Sequence, residues 1–153
     1  MRRRILRWGL PAVLIVFAAL QVVQPDRSRL PVESDVVAPQ AVREILRRSC
    51  FDCHSHETSW PWYGYVAPVS WWLADHVEHG RKDLNFSRWP TFDLEAQEHI
   101  FEDIDEQIRE ETMPLRSYLL LHRRARLSAA DREALLRWAG TKGNDSPVSG
   151  SPE

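Results

Sequence analysis

Apolar residues recur at the three- and four-residue spacing of an α-helix over most of the chain after residue 38. No segment shows the sustained alternation of apolar and polar residues that is typical of a β-strand. Residue types that cap helices divide this pattern, with Pro39 at a helix start, Gly80 at a helix end and Ser128 with Asp131 as a capping box. The pattern therefore predicts an all-helical domain, with helices that begin at Pro39, Pro68, Asp93, Ser117 and Ser128.

Each predicted helix has an apolar face that is expected to point inward. These faces comprise Val42, Ile45 and Leu46; Val69, Trp72, Leu73, His76 and Val77; Leu94, Phe101, Ile104 and Ile108; and Leu135, Leu136 and Trp138.

The N-terminus has the pattern of a membrane segment. Arg2, Arg3, Arg4 and Arg7 precede an uncharged stretch from Trp8 to Pro25, which would measure about 27 Å as a helix. Because no good small-x-small cleavage site follows, we predict an uncleaved transmembrane helix, with a cleavable signal peptide as the alternative. The arginines favour a cytoplasmic N-terminus, which places the rest of the chain across the membrane.

The predicted organisation has four parts. A signal anchor over residues 1–24 is followed by an extended linker over 25–38, a helical domain over 39–140 and a disordered tail over 141–153.

The charge of the chain argues against a nucleic-acid partner. The 20 basic and 22 acidic residues give a net charge of -2, but four of the arginines lie in the first 24 residues. The remainder is therefore acidic, whereas nucleic-acid binding calls for a basic surface.

The segment Cys50-Phe51-Asp52-Cys53-His54 carries the chemistry. Two cysteines three residues apart, followed directly by a histidine, are typical of covalent attachment of a c-type haem. This spacing lets both thiols reach vinyl groups of one porphyrin while the histidine supplies an axial nitrogen to the iron. Such attachment takes place outside the bacterial cytoplasmic membrane, in agreement with the predicted topology.

Three other interpretations of the two cysteines fit the sequence less well. A zinc site needs four ligands, usually with a second cysteine or histidine pair. A redox dithiol of the thioredoxin type gives His54 no role, and neither does a structural disulfide. We therefore favour haem.

The second axial ligand is predicted to be Met113, the only methionine besides Met1, which lies before the helix-breaking Pro114. His76 and His122 are the alternatives, while His56, His79 and His99 are expected to be solvated. The tryptophans from Trp60 to Trp89 either surround the porphyrin or pack in the core.

Five stretches of the sequence together resemble one known family, the bacterial haem-binding domain proteins, which are small membrane-anchored c-type cytochromes. The stretches are residues 47–55, 57–63, 67–72, 85–89 and 112–115. The resemblance implies a cytochrome c-like helical fold around one covalent haem, attached at Cys50 and Cys53 and ligated by His54. It supports Met113 as the distal ligand and names no partner.

These observations predict a one-electron carrier in the bacterial inner membrane, with a single span and its C-terminal domain in the periplasm, rather than an enzyme. Its partners would be redox proteins that the sequence does not identify. A haem-based sensor or peroxidase-like enzyme with an open distal site, or a haem subunit of a larger respiratory complex, are the alternatives.

Overall fold

The computed structural model describes residues 2–28 and 30–142, and it is built from helices. The helices are α1 (Arg2–Leu20), α2 (Gln40–Ser49), α3 (Phe51–His54), α4 (Val69–Asp83), α5 (Leu94–Arg109), α6 (Arg116–Leu119) and α7 (Ala129–Lys142), with 3-10 turns at Trp62–Tyr65, Trp89–Thr91 and Arg123–Ala125. Over the described residues there is no strand, only an isolated bridge between Ser34 and Arg88. The predicted all-helical class is confirmed. Apart from residues 141 and 142, which end α7, the predicted disordered tail lies outside the described residues.

Several of these helices begin at the capping residues that the sequence predicts. Pro39 precedes α2, and the Asp93 carboxylate accepts a hydrogen bond from the Ala96 N–H at the start of α5. At the start of α7, the Asp131 N–H donates to Ser128 Oγ, and the Ser128 N–H donates to the Asp131 carboxylate. These reciprocal bonds confirm the predicted capping box.

The core forms where α2, α5 and α7 meet. Phe101 of α5 packs edge to face on Trp138 of α7, with ring centroids 5.1 Å apart, and also contacts Trp89. Val42, Ile45 and Leu46 of α2 are buried against this cluster, as the sequence predicts. The short helix α3, which contains the Cys-x-x-Cys-His motif, follows α2 directly and packs against α4.

Helix α4 differs from the prediction in its end and in its inward face. It continues past Gly80 to Asp83, and it buries Ser70, Leu73 and Val77. Trp72, which was expected to point inward, is 48% exposed. Aromatic residues dominate the apolar pattern of this segment, but the face of α4 that packs against the domain carries the smaller side chains Ser70, Leu73 and Val77.

The structure does not support the predicted transmembrane helix. None of the helices in residues 2–28 and 30–142 combines the length and the apolar composition needed to cross a membrane. The uncharged stretch was expected to remain helical to about Pro25, but α1 ends at Leu20. Its uncharged part, from Trp8 to Leu20, measures only about 20 Å, whereas a bilayer core is about 30 Å thick.

Hydrogen bonds connect the residues directly after α1 to the rest of the domain. Gln21 donates to the carbonyl of Ala67 and accepts from the Ala67 N–H, and the Trp71 indole donates to the carbonyl of Val23. The segment predicted as a linker is irregular in backbone but packed: Val36 is buried in the core, and the N–H groups of residues 33 and 34 donate to the Ser87 carbonyl. These contacts hold the segment before α2 against the helical body.

Candidate functional site

The motif cysteines and histidine lie on one turn beside a deep cavity of about 630 Å³. Cavities of this size are typical of cofactor and ligand sites. Its wall is mainly apolar and is formed by residues from all the larger helices after α1. The apolar lining residues are Leu46, Leu84, Phe86, Ile100, Ile104, Ile108, Pro114, Leu115 and Leu135.

The cavity brings together most of the predicted haem residues. Cys50, Cys53 and His54 line it from α3 and its start, and Met113 lines it from the segment after α5. His76 also lines it, but His122 does not. The His122 ring instead stacks on Tyr118, with ring centroids 4.0 Å apart.

His54 is held in the orientation of a metal ligand. Its Nδ1 lies 2.8 Å from the carbonyl oxygen of Gly80 and 3.2 Å from that of Leu84, so Nδ1–H is the donor. Nε2 has no hydrogen-bond partner among the described residues. Histidines that bind metals commonly donate the other ring N–H to a carbonyl in this way. Burial also lowers the pKa of His54, which keeps the ring neutral and able to ligate.

The two thiols are free and protonated. Burial raises the pKa of Cys50 to about 12 and that of Cys53 to about 11. A redox dithiol needs a thiolate of lowered pKa, which this environment opposes. The described part of the chain also has no group of three or more His, Cys, Asp and Glu side chains arranged around a metal ion, as zinc would need.

The residues present therefore fit haem. Two free thiols and a neutral imidazole lie on one turn beside an apolar cavity, with a thioether elsewhere in the wall. The Ser49 hydroxyl also lines the cavity and is buried without a hydrogen-bond partner among the described residues. A buried hydroxyl of this kind is expected to find its partner on a bound group or an ordered water.

His76 reaches the cavity from the same helix that holds His54. It lies one turn before Gly80 on α4, its Nδ1 is 2.9 Å from the Trp72 carbonyl, and its ring packs on the Trp72 indole. Met113 reaches the cavity from a different segment, the one between α5 and α6.

The tryptophans and Arg81 do not line the cavity. No tryptophan of the described chain lines the cavity; Trp89 and Trp138 lie in the core, and Trp62 is 79% exposed. Arg81 is likewise outside it, since its guanidinium donates to the carbonyl of Ser55 and the hydroxyl of Thr58, directly after the motif.

His56 was expected to be solvated but is buried. Its Nδ1 lies 2.6 Å from the Pro31 carbonyl, and its Nε2 lies 2.9 Å from the Asn85 amide nitrogen. His56 therefore fastens the segment before α2 to the loop after α4. Sequence patterns gave no signal for this role, because both partners are distant along the chain.

The fold and the site together define a haem-binding domain of the helical class. The family model described as the haem-binding domain matches residues 13–141, and the chain belongs to that family. The resemblance found in the sequence is thereby confirmed, and with it the binding of haem. No curated protein and no solved structure matches the chain.

Proposed function

We propose that this protein is a mono-haem c-type cytochrome that carries single electrons between redox proteins outside the cytoplasmic membrane. The observation that carries this proposal is the arrangement of Cys50, Cys53 and His54 on one turn beside the cavity, with His54 Nδ1 bonded to the Gly80 carbonyl. It supplies two thiols for attachment and one oriented nitrogen for the iron.

Each residue of the site has a defined task. Cys50 and Cys53 would hold the haem through thioether bonds, and His54 would ligate its iron through Nε2. Met113 would supply its sulfur as a second ligand. Haem iron supplies one-electron chemistry by cycling between its ferrous and ferric states.

A carrier is favoured over a sensor or a peroxidase-like enzyme by Met113 in the cavity wall. Both alternatives need an open axial position, whereas a thioether ligand fills it. Pro114 and Leu115, which follow Met113 in the sequence, also line the cavity. The same sulfur ligand is compatible with a haem subunit of a respiratory complex.

The location is also a proposal. Residues 1–24 combine basic residues with apolar side chains that are mostly exposed from Leu10 to Phe17, as in a segment that interacts with a membrane during export. We expect this segment to deliver the domain to the periplasmic side, where c-type attachment occurs. A reporter that is active only in the periplasm, fused after Glu153, should be active, whereas activity of a cytoplasm-only reporter would contradict the proposal.

The function is tested on the full chain, produced together with a bacterial c-type attachment system. The haem should remain with the protein through acid–acetone extraction, and the mass should increase by one haem. A redox titration should give a single one-electron transition, and the reduced protein should bind carbon monoxide slowly. Release of the haem by acid–acetone would overturn the c-type assignment, and rapid carbon monoxide binding would favour the sensor or enzyme.

A further inference from the structure

One side-chain hydrogen bond crosses from the attachment turn to the segment that carries Met113. The Tyr118 hydroxyl donates to Oδ2 of Asp52 over 2.6 Å. Asp52 lies between the two cysteines, Tyr118 lies five residues after Met113, and both side chains line the cavity. In the described part of the chain no other side-chain hydrogen bond joins residues 113–122 to residues 50–54.

Asp52 is a fixed acceptor. Its other carboxylate oxygen, Oδ1, accepts from the Ser59 N–H over 3.0 Å, and its main-chain carbonyl accepts from the Thr58 hydroxyl over 2.8 Å. The Arg81 guanidinium donates in turn to the Thr58 hydroxyl. These bonds hold the carboxylate in place independently of Tyr118.

Tyr118 is equally well oriented as the donor. Its ring lies parallel to that of His122, with an interplanar angle of 8°, and His122 Nδ1 is 3.1 Å from the Tyr118 carbonyl. The Tyr63 hydroxyl also lies near His122 Nδ1, at a longer 3.4 Å. Burial, together with the neighbouring Asp52, raises the pKa of Tyr118, so the phenol keeps its proton at physiological pH.

Among the described residues, side-chain hydrogen bonds hold the segment around Met113 at its two ends only. On the N-terminal side the Thr112 hydroxyl donates to the Gln107 carbonyl of α5 over 3.2 Å. On the C-terminal side the first such bond is that of Tyr118. Met113, Pro114 and Leu115 have no side-chain donor, so apart from main-chain bonds such as that from the Leu119 N–H to the Leu115 carbonyl, these two side-chain bonds hold the segment.

We propose that Tyr118 is a positioning residue for the distal ligand, which fixes the Met113 segment against the attachment turn through its hydrogen bond to Asp52. The proposal rests on Met113 ligation as proposed above. Because the bond starts between the two attachment cysteines, the turn that places the proximal ligand also sets the position of the distal one. The hydroxyl touches no ligand, so its loss should leave both thioethers intact.

The test uses Tyr118→Phe in the full-length, haem-loaded protein. This change removes one oxygen and keeps the ring on His122. The oxidised variant should lose part of the long-wavelength sulfur-to-iron charge-transfer band, and its reduced form should bind carbon monoxide about tenfold faster or more, as expected when a hydrogen bond to a charged group is lost. Amide hydrogen exchange over residues 113–119 should also accelerate, while acid–acetone should still release no haem.

Tyr63→Phe is the matched control, because it also removes a phenolic hydroxyl near His122 but none that reaches Asp52. It should retain the charge-transfer band, the rate of carbon monoxide binding and the rate of amide hydrogen exchange of the wild type. Asp52→Asn changes the same bond from the acceptor side. It removes the charge but leaves an amide that can still pair with the phenol, so it should change the readouts in the same direction as Tyr118→Phe but by less, and the double variant should show less than the sum of the two. Should Tyr118→Phe fail to fold, Asp52→Asn provides the same readouts.

Two results would overturn the proposal, and they are distinguishable. If Tyr118→Phe and Asp52→Asn match the wild type in band, carbon monoxide rate and exchange, the hydrogen bond does not position Met113. If the wild type itself has no sulfur-to-iron band, Met113 is not the ligand, and the proposed ligation fails together with the role of Tyr118.

Discussion

Gly80 of α4 packs directly against the carbonyl oxygen of Cys53. A Cβ atom added at Gly80 would lie 3.1 Å from that oxygen and 3.4 Å from Cε1 of His54. The absence of a side chain therefore lets α4 approach the attachment turn closely enough for the Gly80 carbonyl to accept the hydrogen bond of His54 Nδ1.

Replacing Gly80 with alanine should disturb this contact. Overpacking of about 1–3 kcal/mol is expected to exceed the gain in helix propensity of about 1 kcal/mol, so the free energy of unfolding should fall. The His54 hydrogen bond should lengthen, which should be visible as a lower yield of haem-loaded protein. Thermal unfolding and the haem-to-protein ratio measure both effects.

Gly140→Ala is the control for this change, because Gly140 is also helical and a Cβ there would meet nothing within 4 Å. It should leave haem loading unchanged and increase stability by up to about 1 kcal/mol. Equal effects of the two substitutions would contradict the role assigned to Gly80.

The cysteines should each contribute one thioether. Cys50→Ala and Cys53→Ala should each retain haem through one remaining bond, with an altered absorption spectrum, because the other thiol and His54 still line the cavity. The double variant has no cysteine left in the chain, so acid–acetone should extract all of its haem. Haem that stays bound in the double variant would show attachment by another residue.

The hydrogen bonds of Asp131 predict that the stability of the protein depends on pH. Burial alone raises the pKa of this carboxyl, but hydrogen bonds from Ser128 and Arg48 outweigh burial and hold the pKa below its usual range. A carboxyl whose pKa is lower in the folded than in the unfolded state stabilises the folded protein at pH values above its unfolded-state pKa. This contribution is lost as the pH falls through its folded-state pKa. Asp131→Asn should therefore lower stability at pH 7 by about 1 kcal/mol, and the difference from wild type should shrink as the pH falls through the folded-state pKa of Asp131.

Ser128→Ala is the comparison for capping. It removes the hydroxyl that accepts from the Asp131 N–H and donates to the Asp131 carboxylate, but it keeps the carboxylate and its bonds from the Ser128 N–H and Arg48. The part of its destabilisation that comes from the lost N-cap acceptor should persist at acidic pH. A destabilisation by Asp131→Asn that is equal at pH 7 and pH 3 would show that the lowered pKa contributes nothing to folding.

The features that the sequence predicted well depend on neighbouring residues. Haem binding, which the family match confirms, is indicated by the five residues from Cys50 to His54, and the capping box by the four from Ser128 to Asp131. Both can be recognised because the groups that interact lie within one helical turn. For the same reason, the starts of helices after Pro39 and Asp93 were placed to within a residue.

The features that were missed depend on partners distant along the chain. Gly80 was interpreted as a helix end, whereas its partner is Cys53 on another helix. The burial of His56 depends on Pro31 and Asn85, and the hydrogen bond of Asp52 on Tyr118, 66 positions away. Of these contacts, only that of Gly80 had a signal in the sequence, because a glycine inside a helical pattern often marks a close contact.

Met113 decides between the carrier and the open-site alternatives. Met113→Ala should abolish the sulfur-to-iron charge-transfer band of the oxidised protein, because the chain has no other internal thioether. The reduction potential should fall, since a sulfur ligand favours ferrous iron. Carbon monoxide should bind the reduced variant rapidly at the vacated position.

His76→Ala and His122→Ala are the comparisons that make the Met113 result specific. His76 lines the cavity from the helix that holds His54, and His122 lies behind Tyr118 outside it, so neither change should alter the band or the low-spin spectrum. A wild type that lacks the band, together with a changed low-spin spectrum in His76→Ala, would identify two histidine ligands. If the reduced wild type binds carbon monoxide as fast as Met113→Ala, its distal site is open. The sensor or enzyme function would then be favoured over the electron carrier.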